Sequence, residues 1–199
     1  MPARNTIKAY APDSYYHVYN RGASKQTIFH DDQDYEVFLG LLKRYLGPKN
    51  EAKPNRQRYV SYHGDVRLLA YCLMPNHFHL MLYQSSEDGM RGLMHRLTTS
   101  YVMYYNKKYH HTGVVFQQRY RAVRITDGSH LLHLSRYIHM NPKDYYTWPW
   151  SSLAYYIGSK TASWLYADKL PSVGDYRAFL DEYKERREEL RDAKDEFAG

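Results

Sequence analysis

The sequence is poor in cysteine and has no long hydrophobic run. Its single cysteine, Cys72, cannot form an intramolecular disulfide and lies in an apolar stretch, so we expect it to be a small buried residue. No apolar run approaches the roughly 20 residues that a membrane-spanning helix needs. The N-terminal residues contain no hydrophobic signal core. We therefore expect a cytoplasmic protein.

Acidic residues are fewer than basic ones, and phenylalanines are far fewer than tyrosines. The 28 Lys and Arg residues outnumber the 21 Asp and Glu residues, which gives a formal charge of +7. A basic domain of this size favours a polyanionic partner, with nucleic acid first and an acidic membrane surface second. The 23 tyrosines suit base stacking and phosphate hydrogen bonding, although tyrosine is also an ordinary amphipathic surface residue.

The middle of the chain carries two neighbouring strand-like runs. Residues 66–73 are mostly Leu, Tyr, Cys and Val without helical spacing of polar residues. Pro75 ends this run, because proline fixes φ and lacks a backbone donor. Residues 77–83 then resume a β-type pattern. This pattern predicts two strands joined as a hairpin.

Two histidines, His77 and His79, flank Phe78 in the second run. Side chains two apart in a strand point to the same face, so we expect the two imidazoles to project together. The opposite face, which carries Phe78, Leu80 and Leu82, is then expected in the core. Two imidazoles on a rigid strand can hold one divalent ion. The alternative is a polar sheet face that carries two histidines by coincidence.

The order of predicted elements specifies a fold. A strand at residues 15–20 precedes a helix from Asp31 or Asp32 to Leu46, and a polar surface loop at residues 49–58 leads to the hairpin. A long helix to about residue 109 and a strand at 120–125 follow. The order β-α-β-β-α-β predicts an α+β, ferredoxin-like or RRM-like plait with a four-stranded antiparallel sheet, in which the histidine strand is central. Two helices would cover one face of the sheet, and the other face would stay open for a ligand.

A further helix is predicted after this plait. It starts at residues 127–129, runs to about Met140 and ends at Asn141-Pro142. A charged tail helix is predicted from residue 175 to about 194.

Four sequence segments occur in the order seen in a known family. They are YHVYNRG, MPNHFHLML, FQQRYRAV and SRYIHMNP, and the similarity spans about residues 15–156. In these segments the chain resembles the single-tyrosine HUH transposases, and within them the REP-associated tyrosine transposases, relatives of the IS200/IS605-type transposases. The HxH after Pro-Asn, combined with YIxxNP downstream, is a specific pairing of motifs.

The resemblance implies roles for particular residues. It assigns His77 and His79 as ligands of Mg²⁺ or Mn²⁺, Asn141 as a third ligand, and Tyr137 as the nucleophile. It implies cutting and rejoining of single-stranded DNA next to a small hairpin, through a covalent 5′-phosphotyrosine. It also implies a catalytic domain at residues 1–145, which includes the tyrosine helix, and a C-terminal extension at 146–199 that packs on it.

The spacing on the last core helix fits these roles. Tyr137 and Asn141 are four apart and share a face, and His133, four residues earlier, could orient the phenol or meet phosphate. An apolar face formed by Leu131, Leu134 and Ile138 would lie on the sheet. Without the resemblance, Tyr137 is one tyrosine among many and Asn141 is a helix-end residue before proline. A site with two histidines would also accept Mn²⁺ or Zn²⁺ at least as tightly as Mg²⁺ in vitro.

Six basic residues are candidate contacts to phosphates and bases, with the solvated surface cation as the alternative for each. They are Arg21, Lys107, Lys108, Arg119, Arg121 and Arg124. Arg119 and Arg121 are two apart and could share a face of an extended strand.

The leading hypothesis is therefore a metal-dependent strand transferase that acts on hairpin or single-stranded DNA and takes no small-molecule substrate. A second hypothesis is a non-catalytic binding module whose RRM-like sheet stacks bases. A third is a retired transposase, against which the full set of His77, His79, Tyr137 and Asn141 argues. A monomer is favoured over a homodimer, because the C-terminal extension could block a dimer surface.

Overall fold

The computed structural model describes residues 10–48, 60–167, 170 and 174–184. The predicted loop at 49–58 and the last part of the predicted tail helix, 185–194, lie outside these residues. The described strands are β1 (Ser14–Arg21), β2 (Val66–Met74), β3 (His77–Gln84) and β4 (Arg121–Ile125). The described helices include α1 (Asp32–Leu46), α2 (Gly89–Tyr109), α3 (Gly128–His139) and α4 (Leu153–Tyr156). Across the described ranges, no helix combines the length and apolarity needed to span a membrane.

The four strands form one antiparallel sheet in the order β2-β3-β1-β4. Strands β2 and β3 form the predicted hairpin, in which Met74 pairs with His77 across a two-residue turn of Pro75 and Asn76. The histidine strand β3 is central, between β2 and β1. The predicted β-α-β-β-α-β plait is confirmed.

One face of the sheet packs on α1 and α2. Helix α1 begins where predicted, because the Asp31 side chain caps it by accepting from the Asp34 backbone N–H. Strand β1 alternates buried and partly exposed residues, as a strand with one core face does. The predicted core residues Phe78, Leu80 and Leu82 are fully buried in this layer, together with Phe38 and Leu42 of α1 and Leu93, Leu97 and Tyr101 of α2.

The prediction that the apolar side of the last core helix lies on the sheet is confirmed, and it follows that the other face of the sheet is largely covered and not open as expected. Helix α3 lies on it, and Leu131, Leu134 and Ile138 are buried against Cys72 and Met81 of the hairpin. The physical reason lies in β2, which is apolar on both faces and so needs a layer on each side. The parts of this face that stay accessible include the end where β3 begins and Val123 of β4, which pairs with His17.

The segment after α3 runs along the outer edge of β2. The Leu73 N–H donates to the Trp150 carbonyl oxygen at 2.9 Å, and the Ser152 N–H donates to the Tyr71 carbonyl oxygen at 2.9 Å. Backbone groups of the edge strand thereby find partners within the same chain. The boundary predicted at residue 145 stays a prediction.

A buried polar cluster fixes α3 to this C-terminal segment. The His139 Nδ1 lies 2.8 Å from the Tyr176 hydroxyl, and its Nε2 lies 2.7 Å from the Ser152 hydroxyl. The Ser135 hydroxyl lies 2.8 Å from the same Tyr176 oxygen. Burial lowers the pKa of His139 to about 3, so its ring is neutral. Because buried polar groups are costly without partners, the cluster favours one rotation of α3 about its axis.

A second buried polar group joins α1 to α2. The Asp34 carboxylate, whose side chain is 0% exposed, accepts from Lys108 at 2.8 Å, Tyr104 at 2.8 Å, Tyr109 at 2.7 Å and the His30 N–H at 2.7 Å. Burial by itself raises the pKa of Asp34. The hydrogen bonds outweigh burial and hold that pKa below its usual value.

Replacing Asp34 with Asn should lower the free energy of unfolding at neutral pH by about 2–4 kcal/mol, because Lys108 and both tyrosines lose a charged acceptor. The folded pKa of Asp34 lies below the unfolded value. The carboxylate therefore stabilises the fold above the unfolded pKa, and this stabilisation is lost as the pH falls through the folded pKa. Urea unfolding should show that the difference in the free energy of unfolding between wild type and D34N becomes smaller below a pH of about 4.

The matched control is Asp32→Asn, at an exposed position in the first turn of the same helix. We expect a change within about 0.5 kcal/mol for this control. An equal loss in both variants, or a D34N difference that stays constant with pH, would contradict the prediction.

Candidate active site

The histidine pair lies at the start of β3. His77 and His79 point to the same face, as predicted, and their ring centroids are 5.1 Å apart with an interplanar angle of 88°. His79 is 6% exposed, whereas His77 is half-buried. The regular pairing of β3 with β1 on one side and β2 on the other holds both side chains on a rigid frame.

A third histidine, His17 of β1, joins the pair and was missed from the sequence. Its Nε2 lies 2.9 Å from the Nδ1 of His79, and the two rings stack at 5.1 Å. This contact leaves the Nε2 of His79 as the ring nitrogen available to a ligand. The signal that could have found His17 is the alternation in β1, which puts Tyr15, His17 and Tyr19 on the histidine face of the sheet.

The tautomer of His77 follows from its neighbours. The Asn76 side-chain N–H donates to the Lys25 carbonyl oxygen at 3.2 Å, which fixes the orientation of that amide. The Asn76 Oδ1 therefore faces the Nδ1 of His77 at 2.6 Å, and this nitrogen must carry the hydrogen. In the neutral ring, the Nε2 of His77 then presents a lone pair.

This lone pair faces a second acceptor. The Nε2 of His77 is 3.0 Å from the Oδ1 of Asn141. Neighbouring ligands of an octahedral ion bound at about 2.1 Å lie about 3 Å apart. The His77 and Asn141 atoms thus have the spacing of two ligands of one cation, with His79 beside them.

Burial keeps all three imidazoles neutral, as metal ligands and their supporting groups must be. Burial lowers the pKa of His79 to about 3, with smaller effects from His17 and His77. Burial lowers the pKa of His17 to about 4, with a further contribution from His130. Burial also lowers the pKa of His77, although Asn141 opposes this by favouring a protonated ring.

No group of three or more His, Cys, Asp or Glu side chains within the described ranges has the arrangement of a metal site. A cation here would therefore take two imidazoles and one amide oxygen from the protein. Such a set leaves positions open for phosphate oxygens and water, and its mixed donors suit Mg²⁺ weakly and Mn²⁺ better.

Tyr137 lies against the histidines of its own chain. Its ring centroid is 5.6 Å from that of His79 and 6.0 Å from that of His17, in edge-on contacts. Its side chain is 53% exposed, so the phenol is open to a substrate. The structure therefore brings together His77, His79, Tyr137 and Asn141, whose predicted roles stay predictions.

His133 is not brought to this site. Its Nδ1 accepts from Arg136 at 2.9 Å, and its ring stacks on Phe179 at 6.1 Å. Helix geometry explains why His133 is turned away. His130, seven positions before Tyr137, lies about 20° from it around the helix axis, whereas His133, four positions before, lies about 40° away. The histidine on this side of α3 is His130, whose charge acts on His17.

A cleft of about 460 Å³ opens beside the histidines. Two of the predicted basic residues, Arg21 and Arg121, line it at its exposed rim. The other lining residues are Tyr19, Asn20, His77, His79, Gln117 and Gln118. The cleft thus combines neutral ligands at its base with fixed positive charge at its mouth.

The remaining basic candidates are elsewhere. Lys108 is held by Asp31 and Asp34 at 2.6 and 2.8 Å and is 20% exposed, so it stabilises the fold, and its role as a DNA contact stays a prediction. Lys107 is exposed on α2.

Arg124 of β4 pairs with Tyr16 and so lies on the opposite side of the sheet from the histidines. Arg119 precedes β4 and lines a different cleft from Arg121, and a shared face for the two stays a prediction.

The proton positions can be tested directly by ¹H–¹⁵N NMR of the imidazole rings. We expect His77 to be the Nδ1–H tautomer at neutral pH, because its Nδ1 faces a carbonyl oxygen. We expect His17 and His79 to stay neutral well below pH 6, because burial lowers both pKa values. An Nε2–H tautomer of His77, or protonation of His79 near pH 6.5, would contradict this description.

Comparison with known proteins places the chain in a family. Residues 12–141 match the family model described as "Transposase IS200 like". No protein with curated annotation matches the sequence.

Two solved structures match the chain, and the first of them is similar in fold. The first is a REP-associated tyrosine transposase bound to a REP hairpin, with 14% identity, a TM-score of 0.56, and coverage of 87% of this chain and 95% of that one. The second is a candidate transposase from Deinococcus radiodurans, with 12% identity, a TM-score of 0.40, and coverage of 69% and 95%. Since the family model covers well over half of the residues, the chain belongs to the IS200-like transposase family.

Proposed function

We propose that this protein is a metal-dependent nuclease and strand transferase that cuts and rejoins single-stranded DNA beside a hairpin, with Tyr137 as the nucleophile. The observation that carries the proposal is the contact of the exposed Tyr137 phenol ring with the rings of His79 and His17 in one chain. Family membership and the fold of the hairpin-bound relative support the same reaction class.

The reaction is a displacement at phosphorus. The Tyr137 oxygen loses its proton to solvent and attacks the phosphate, a new tyrosine O–P bond forms, and the bond to the 3′ oxygen breaks. The 3′ oxygen takes a proton and leaves as a hydroxyl, and the 5′ end stays on the protein as a phosphotyrosine. In rejoining, a 3′ hydroxyl attacks the same phosphorus and the phenol leaves. The exposure of Tyr137 beside His79 fits both directions.

The protein's own residues supply position and charge. His77, His79 and Asn141 would hold a divalent cation, Mg²⁺ or Mn²⁺, which when bound neutralises phosphate charge and favours the phenolate. His17 and Asn76 would orient the two ligand imidazoles by binding their Nδ1 atoms. Arg21 and Arg121 at the mouth of the cleft would hold the flanking phosphates.

We propose hairpin DNA of the REP type as the substrate class, because the similar solved structure is of a protein bound to a REP hairpin. We also propose that the tyrosine acts in cis within a monomer, since Tyr137 already contacts the histidines of its own chain.

The alternative of a non-catalytic, RRM-like binding module has less support. That mode needs an open sheet face on which bases stack. Here α1 and α2 cover one face and α3 covers much of the other, so the sheet offers no broad aromatic platform within the described residues. The retained set of His77, His79, Tyr137 and Asn141 likewise argues against a retired enzyme.

Tyr137→Phe should abolish formation of a covalent protein–DNA adduct while it leaves hairpin affinity within about threefold, because the phenol oxygen is the bond-forming atom and the ring stays in place. Denaturing gel electrophoresis of the protein with a labelled hairpin oligonucleotide and Mn²⁺ measures the adduct. Tyr146→Phe, at another exposed tyrosine, is the control and should react normally. Adduct formation by the Tyr137→Phe variant would show that the nucleophile is another residue.

His17→Phe should weaken Mn²⁺ binding about 10–100-fold, because the Nδ1 of His79 loses the partner that orients it. His77→Ala removes a proposed ligand and should weaken Mn²⁺ binding further. Titration of the protein with Mn²⁺ alone, followed by EPR of free Mn²⁺, gives the dissociation constants. His95→Phe, on the surface of α2, is the control. Equal affinities in the wild type and the His77→Ala variant would exclude this metal site.

A further inference from the structure

Tyr19 of β1 lies on the floor of the histidine cleft, where the proposed reaction gives it no role. In the register of the sheet it pairs with His79 of β3 on one side and with Arg121 of β4 on the other. Paired residues share a face of the sheet, so Tyr19 projects on the same side as the histidines. Its side chain is partly exposed and lines the cleft. Tyr19 therefore stands between a proposed metal ligand and a fixed positive charge.

The ring of Tyr19 is held by two imidazoles. Its centroid lies 4.8 Å from that of His17 and 5.8 Å from that of His79, with interplanar angles of 33° and 32°. The ring of Tyr137 contacts the same two imidazoles at 78° and 82°. The two phenols thus share one pair of imidazoles but approach it in different orientations.

The hydroxyl of Tyr19 is open to the cleft. It has no hydrogen-bond partner among the residues that the structure describes. Within those same residues, every buried polar side-chain atom has a partner. A Tyr19 hydroxyl without a partner must therefore be accessible, and it can donate a hydrogen bond to a substrate.

The two phenols beside His79 come from different layers of the molecule. Tyr137 belongs to α3, which packs on the sheet, whereas Tyr19 projects from the sheet itself. In a displacement at phosphorus, the attacking and leaving oxygens lie roughly in line, on opposite sides of the phosphorus atom. With Tyr137 attacking from the side of the helix, the 3′ oxygen leaves on the side of the sheet, where the Tyr19 hydroxyl lies.

We propose that Tyr19 is a second catalytic tyrosine, whose hydroxyl donates a hydrogen bond to the 3′ oxygen of the scissile phosphate. This oxygen gains negative charge as its bond to phosphorus breaks, and a donor that is already in position stabilises such charge. Tyr19 keeps its own proton, and the 3′ oxygen takes one from solvent. In rejoining, the same hydrogen bond orients the 3′ oxygen that attacks. The inference rests on the proposed function and adds to it a residue that acts on the leaving group.

The first measurement is the single-turnover rate of adduct formation with a hairpin oligonucleotide and Mn²⁺. Tyr19→Phe should slow this rate about 100-fold, because it removes one donor to the developing charge and keeps the ring. In the Tyr137→Phe background, which does not cut, Tyr19→Phe should leave hairpin affinity within about threefold, since the bond strengthens only as the 3′ oxygen becomes charged.

The second measurement changes the leaving group. In a matched oligonucleotide, sulfur replaces the 3′ oxygen of the scissile phosphate. Sulfur is a weak hydrogen-bond acceptor, so its departure should depend little on Tyr19. Tyr19→Phe should therefore slow cleavage of the sulfur substrate by no more than about threefold. A residue that only supports the fold or the imidazoles would slow both substrates alike.

Tyr15→Phe is the matched control. Tyr15 lies on the same strand and the same face as Tyr19, but it packs on Tyr83 at 5.1 Å and does not line the histidine cleft. This variant should cleave both substrates at the wild-type rates.

Two results would overturn the role of Tyr19. One is a wild-type rate for Tyr19→Phe on the ordinary substrate, and the other is an equal loss of rate on the oxygen and sulfur substrates. A wild-type protein that forms no adduct would instead overturn the proposed reaction, and the role of Tyr19 with it. Because the wild-type rate is measured in the same series, the two failures are distinguishable.

Discussion

The packing of α3 on the sheet is the constraint on which the rest of the candidate site depends. Its apolar side, formed by Leu131, Leu134 and Ile138, is buried against β2, β3 and Ile125 of β4. Burial of three such side chains contributes several kcal/mol, at about 1.5–3 kcal/mol each. The hydrogen bonds of His139 with Tyr176 and Ser152 then select the rotation of the helix. With that rotation fixed, Tyr137 meets the histidines and Asn141 meets His77.

The site separates neutral ligands from fixed charge. Burial keeps the imidazoles of His17 and His79 neutral. Which ring nitrogen carries the hydrogen and which presents a lone pair therefore depends on the tautomer and not on the pH of the cell. Arg21 and Arg121 carry the positive charge at the mouth of the cleft, where contact with water keeps the free-energy cost of a charged side chain low. A phosphate can thus be attracted by the rim while the base of the cleft keeps its metal-binding character.

Much of the fold could be predicted from the sequence because its signals are local. Pro75 between two β-type runs predicts the hairpin, and alternation along β3 places His77 and His79 on one face. The rest depends on contacts between distant segments. His17 lies in the YHVYNRG segment, but its role appears only when β1 pairs with β3. Lys108 looks like a surface cation until α1 brings a buried carboxylate to it. The covering of the second sheet face follows from the apolar character of β2 on both faces, and the apolar side of α3 that lies there was predicted from the sequence.

The central claim is that one chain contributes both the histidine pair and the tyrosine. A dimer in which the tyrosine helix reaches the histidines of a partner would be the opposite arrangement. Mixing the Tyr137→Phe and His79→Ala variants and measuring adduct formation with hairpin DNA distinguishes the two most directly. As controls, the wild type should form the adduct and each variant alone should not. If one chain supplies the whole site, the mixture should form no adduct, because neither chain has a complete site. Recovery of adduct formation in the mixture would contradict the account.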